Sequence, residues 1–296
     1  MIGSQKSLFT NLLLIVMVMV LVAVLFTPVK SKADVSGVCP ATLRFADTGI
    51  EGLEELRRAF GQFIDTMEKV LKVEVQFFPV GHRTAAVNAL RFEQVDIVMA
   101  GPSEYVAIES RIPGNKPIIS ISRPSYASIF IAPENSGINS LQDLRGKRVA
   151  MKDVGSTTGH IIPSYMLIQE GFNLDRDVTI LNIDGARFEA LIAGDVHAVG
   201  TGVRDWEPFI NRAGGGFKII AQSDPMPDDV ILAGPHISKE CVAGLKDAMM
   251  SNADTLLEAI LAPGERDKYI GATMVEVSDE DYNVVRDAYS ALGITN

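Results

Sequence analysis

Two cysteines and four histidines are all that 296 residues offer to a soft metal ion. No Cys-x-x-Cys pair and no His-Glu-x-x-His helix occurs, and His82, His160, His197 and His236 are scattered, so no metal set emerges. Two cysteines cannot make a disulfide scaffold. The Gly-x-Ser-x-Gly elbow of serine hydrolases is missing as well. Positive charge is short: 27 Lys and Arg stand against 37 Asp and Glu, a formal net charge of −10. Without a basic run to track a phosphate backbone, nucleic acid is not an expected partner. Neither an enzyme nor a cofactor is expected. What is present, 47% hydrophobic and 22% charged residues, suffices for a folded core, and the length allows two medium domains.

One long apolar run stands out. Leu12 to Phe26 is unbroken, preceded by Lys6 and followed by Thr27-Pro28 and Ser31-Lys32-Ala33. This is the layout of a secretory signal peptide cleaved after Ala33. The alternative is an uncleaved anchor, because Ser7 to Val29 lacks charge for 23 residues. Cleavage removes three lysines and no acid, taking the formal charge from −10 to −13. Export puts Cys39 and Cys241 in an oxidising compartment, where one disulfide and two free thiols both stay open. Lipidation of Cys39 is disfavoured by the branched Val38 before it.

Beyond residue 33, short apolar runs alternate with amphipathic stretches. Leu43–Ala46, Val73–Val80 and Val95–Ala100 are each followed by a helical pattern. The rhythm restarts at Arg148–Met151 and runs through Val178–Ile183, Ala198–Thr201 and Phe217–Gln222. Such alternation predicts parallel sheets with crossover helices, here two α/β units in series. The tail is helical at Lys239–Ser251, Asp254–Leu261 and Asp279–Leu292, and could complete the first unit. Expected crossings are Pro133–Gly137 and Ser223–Pro227, giving a first lobe over 34–132, a second over 133–227 and a return over 228–296. Two hinges around a cleft bind by closing.

The clearest local signal is Lys152-Asp153-Val154-Gly155-Ser156-Thr157-Thr158-Gly159-His160, between a strand and a helix. Unpaired N–H groups and the positive end of the helix dipole form an anion seat there, with three consecutive hydroxyls as further donors. An ordinary N-cap with spare hydroxyls is the plainer reading. Asp47-Thr48-Gly49 and Gly101-Pro102-Ser103-Glu104-Tyr105 end two other strands, and ligands of open α/β sheets sit outside such ends.

Three segments, Phe45-Ala46-Asp47-Thr48-Gly49-Ile50-Glu51-Gly52-Leu53, Val95 to Val106, and Asp153 to His160 with Pro163, resemble the periplasmic substrate-binding proteins of phosphonate/phosphite ABC transporters. The resemblance runs in order over most of the chain after residue 33. It implies a two-lobed, type II periplasmic-binding-protein fold, each lobe a mainly parallel sheet flanked by helices and joined by two hinge crossings. It implies an exported monomeric receptor that passes a small anionic phosphorus ligand to an ABC permease. A membrane-anchored sensor of the same ligand is the alternative. It further implies that Ser156, Thr157 and Thr158 hold the oxyanion, with Thr48, Ser103 and Tyr105 as added donors. Where aminophosphonate-binding members carry two tyrosines and a glutamate, this chain has Arg83, Ala100 and Arg204, while Asp229 matches their second acid. That pattern favours phosphite, methylphosphonate or phosphate over an aminophosphonate.

Overall fold

The β-α alternation is realised as two sheets. A computed structural model describes residues 35–49, 53–80 and 83–294; the expected signal peptide, Glu51 and His82 lie outside them. Strands β1 (Thr42–Asp47), β2 (Glu74–Phe77) and β3 (Ile97–Ala100) pair in parallel through helices α1 (Leu53–Leu71) and α2 (Arg83–Arg91). Leu56, Phe60, Phe63, Ile64, Met67 and Leu71 recur at three- and four-residue steps, so α1 buries one face against the sheet. Helix α3 (Pro102–Arg111) then leads to β4 (Lys116–Ile121).

The second sheet begins with β5 (Ser128–Pro133) and adds β6 (Arg148–Met151), α4 (Ile162–Gln169), β7 (Thr179–Asn182), α5 (Arg187–Ala193), β8 (Ala198–Gly202), α6 (Trp206–Ala213) and β9 (Phe217–Gln222). Its order is β7-β6-β8-β5-β9, with β5 antiparallel to both neighbours. The chain returns with β10 (Asp229–Ala233), which inserts antiparallel between β3 and β4. Helices α7 (Lys239–Ser251) and α8 (Ala253–Leu261), the short edge strand β11 (Met274–Val275) and α9 (Asn283–Ala291) complete the first lobe, whose sheet order is β11-β4-β10-β3-β1-β2.

The crossings therefore occupy residues 122–127 and 223–228. The first lies before Ser128, not at Pro133–Gly137, because Ser128–Pro133 pairs with β8 and β9 of the second sheet. Pro133–Gly137 is a surface turn closing on a left-handed Gly137. Helix α9 packs at the junction, placing Tyr282, Val285, Ala288 and Tyr289 in one apolar cluster with Tyr105 of the first lobe and Ile161 of the second.

Cys39 and Cys241 are joined in a disulfide with Cα atoms 4.7 Å apart. The bridge ties the segment before β1 to the first turn of α7 and closes a loop of sequence separation 202. Restricting so long a loop in the unfolded chain contributes about 2–4 kcal/mol. Alkylation without reductant is expected to label neither thiol in intact-mass spectra, and reduction to lower the melting temperature; two alkylated cysteines would exclude the bridge.

Candidate functional site

The carboxyl ends of β1, β3 and β6 open onto one cleft between the lobes. From β1 come Asp47, Thr48 and Gly49; from β3 come Met99, Ala100 and Gly101, with Glu104 from α3. Lys152, Ser156, Thr157 and Thr158 follow β6, and Asp229 begins β10. The cleft measures ≈ 230 Å³. That is below the few hundred Å³ of most small-molecule sites.

The segment after β6 is shaped by Pro163 and Gly159. Proline lacks an N–H and its ring crowds the carbonyl four residues earlier, here that of Gly159. The Gly159 carbonyl accepts from the Lys152 N–H at 2.9 Å instead. Residues Thr157–Ile161 then form a wide π-helical turn in which the N–H groups of both His160 and Ile161 donate to Ser156 O, each at 2.9 Å. A Cβ on Gly159 would lie 2.5 Å from Lys152 Cβ, so only glycine permits this approach. Gly155 turns the chain at φ +95°, and His160 Nδ1 accepts its N–H at 3.4 Å. Burial lowers the His160 pKa, which keeps the ring neutral and able to accept. The Ser156 side chain makes no capping bond.

Thr157 is the hub between lobes. Its Oγ1 accepts from the Ser103 N–H at 3.2 Å and lies 2.8 Å from Ser103 Oγ. Ser103 Oγ is also 2.8 Å from Gly155 O, and the Tyr289 hydroxyl donates to Ser103 O at 3.1 Å. The hydroxyl of Ser103 thus latches α3 to the loop after β6 rather than lining the cleft.

The remaining expected donors are placed differently. Tyr105 points away: its hydroxyl donates to Asp279 Oδ1 at 2.8 Å and its ring packs on Tyr282, 4.5 Å between centroids. Successive helical residues are about 100° apart, so when Glu104 faces the cleft Tyr105 faces α9. Arg83 opens α2, and its side chain lies outside the described structure. Arg204 sits in a short turn after β8 and is not among the cleft-lining residues; burial and the repulsion of Arg123 lower its pKa.

The cleft also holds residues that the sequence pattern did not single out. Arg123 and Tyr126 come from the first crossing, and Arg266 and Lys268 from the return segment after α8. Arg123 lies 3.5 Å over the Tyr126 ring. Asp229, 1% exposed, accepts from Arg123 at 3.1 Å and from Lys268 Nζ and the Tyr269 hydroxyl at 2.7 Å each. Burial would raise the Asp229 pKa, but the two cations outweigh it and hold the carboxylate ionised. Four cationic side chains, Arg123, Lys152, Arg266 and Lys268, line the cleft with three acidic ones, Asp47, Glu104 and Asp229. Local charge is thus opposite in sign to that of the whole chain, and salt screens the distant surface beyond about 8 Å.

Such a cleft between two lobes, with donors from both and a cation-rich wall, is that of a solute-binding protein. Residues 50–282 match the family "ABC transporter, phosphonate, periplasmic substrate-binding protein", and the chain belongs to that family. It is 25% identical over 294 residues to the phosphate-import protein PhnD of Mycolicibacterium smegmatis, covering 89% of this chain and 90% of that protein. The probable ABC transporter phosphite binding protein PhnD1 of Prochlorococcus marinus is 26% identical over 172 residues, 51% of this chain and 57% of that one. The solved structure of PhnD1 from Prochlorococcus marinus in complex with methylphosphonate has the same fold, with a TM-score of 0.70 at 19% identity over 86% of this chain and 100% of that one. Among the described residues no helix is long and apolar enough to cross a membrane.

Proposed function

We propose that the protein captures a small phosphorus oxyanion, phosphite, methylphosphonate or phosphate, in this cleft and presents the closed form to an ABC permease. Ser156, Thr157, Thr158 and Thr48 supply hydroxyl donors, the N–H groups of the first turn after Gly155 supply backbone donors, and Arg123, Arg266 and Lys268 balance the charge. The observation that carries this reading is the opposition of a helix start on one lobe to a cluster of cations on the other. First-turn N–H groups have no partner within their own helix and form an anion site with the dipole. An aminophosphonate fits less well, because Asp229 is already balanced by two cations and the cleft holds four cations against three acids. Cleavage after Ala33, release as a monomer and delivery to a permease belong to the same reading. A retained anchor would make it a sensor.

Calorimetry with phosphate, phosphite, methylphosphonate and 2-aminoethylphosphonate tests the reading. Saturable binding of one of the first three, tighter than that of the aminophosphonate, is expected. Heat from none of them would overturn it.

Lys268 adds a pH dependence. Burial and the neighbouring Arg266 push its pKa down to about 8, against the pull of Asp229. A bound anion favours the ammonium and raises that pKa. Affinity is therefore greatest below pH 8 and falls as the free protein loses the proton above it. Calorimetry of methylphosphonate from pH 7 to pH 10 (about two units above the shifted pKa) should show a decline that Lys268→Arg flattens, since arginine stays charged there. The ligand's own ionisation is common to both proteins. Identical pH profiles would remove Lys268 from the site.

A further inference from the structure

Deepening the proposed reading, and resting on it, we infer that the cleft is built for a phosphonate carrying a second anionic group, a phosphonocarboxylate such as phosphonoacetate. The seat of Ser156 to Thr158 belongs to the second lobe, and it accounts for one oxyanion. The cations face it from the other side: Arg123 in the crossing, Arg266 and Lys268 in the return segment. These three cations share two carboxylates, because Arg123 and Lys268 both bind Asp229 and Arg266 reaches Asp47 only at 3.5 Å. With Glu104 and Lys152 counted, the cleft as a whole holds one positive charge in excess, four cations against three acids.

Donor atoms are left over too. Among the described residues, Arg123 Nε and Arg266 Nε are buried without a hydrogen-bond partner, and the Arg266 side chain is 10% exposed. Unmet buried donors on charged groups are costly, and both side chains line the cleft, where an acceptor on a bound ligand would relieve that cost. Arg266 is held there by its guanidinium lying 4.8 Å from the Phe60 ring centre, which fixes the fork without consuming its N–H groups. A planar carboxylate is the natural partner of such a fork.

Size agrees. A cleft of ≈ 230 Å³ is several times the volume of one water, about 30 Å³ in the liquid. The five non-hydrogen atoms of phosphate or methylphosphonate leave part of it unused, whereas phosphonoacetate has eight and a negative charge at each end.

The decisive measurement compares phosphonoacetate with phosphonoacetamide, which has nearly the same shape but no second charge, using calorimetry on the chain after residue 33. A preference of about 10-fold or more for the acid is expected, from hydrogen bonds to charged groups. Arg266→Gln should bring the ratio of the two affinities close to one, a comparison that does not depend on how far the substitution weakens both. Equal affinities in the unaltered protein, with methylphosphonate still bound, would overturn the inference and leave the phosphorus seat standing. A preference untouched by Arg266→Gln would overturn the assignment of the second group to this wall. Binding of no phosphorus compound would overturn the seat and the inference together.

Discussion

Thr157→Asp is expected to lower oxyanion affinity by about 100-fold or more, the largest effect of any single change at the seat. The new carboxylate faces the ligand with like charge. An acidic residue in the first turn suits the helix dipole, but at a 4% exposed position bonded to Ser103 it also lowers stability, which the melts of the ligand-free variant read separately. Thr157→Ala and Thr158→Ala should each weaken binding about 10- to 150-fold, the range for a hydroxyl donating to an ionised oxygen. Of the two, Thr157→Ala also loses the contacts with Ser103 that join the lobes. A capping role predicts something else: about 1 kcal/mol of stability lost and affinity unchanged. Calorimetry and thermal melts of the ligand-free variants separate these outcomes. Near-normal affinity in all three would place the seat elsewhere.

Asp229→Ala is expected to lower stability by about 3–5 kcal/mol, because it leaves two largely buried cations without their shared carboxylate. Arg123 is 14% exposed and Lys268 25%, so water relieves part of the loss at the lysine. The deficit should also depend on pH. Without Asp229 the folded-state pKa of Lys268 falls further below the value of about 10.4 of an unfolded lysine. The penalty is then fully present below the folded value and disappears as pH rises toward the unfolded one. Urea midpoints at pH 7 and pH 9.5 (on either side of the shifted lysine) measure it: the variant should recover part of its deficit at the higher pH. Midpoints equal to those of the unaltered protein at both would show that the carboxylate stabilises nothing.

Much of the fold was legible because each strand and helix carries its own period, and the loops at Thr48, Gly101 and Ser156 follow from where parallel strands end. The first crossing was not. Ser128–Pro133 is as apolar as any strand of the first lobe, and only its pairing with β8 and β9 assigns it to the second. The turn residues of Pro133–Gly137 look like a linker but close a surface turn. The site divides along similar lines. Thr48, Ser156, Thr157 and Thr158 line the cleft because residues just after a strand travel with it, and Asp229 joins them at the start of β10. Arg123, Arg266 and Lys268 are single charges in irregular segments, with no spacing to mark them. Their position depends on a crossing and on a return over 200 residues away from β1. Tyr105 misled because sequence adjacency to Glu104 says nothing about which helix face each occupies.

The bridge between Cys39 and Cys241 closes that stretch of chain into a ring, with residues 242–296 outside it, and both crossings lie inside the ring. A protease that cuts an exposed turn of the second lobe, at Pro133–Gly137 for example, would open the ring without parting the pieces. The nicked receptor would run as one species until a reductant is added, and its halves would stay close enough to keep the lobes apposed.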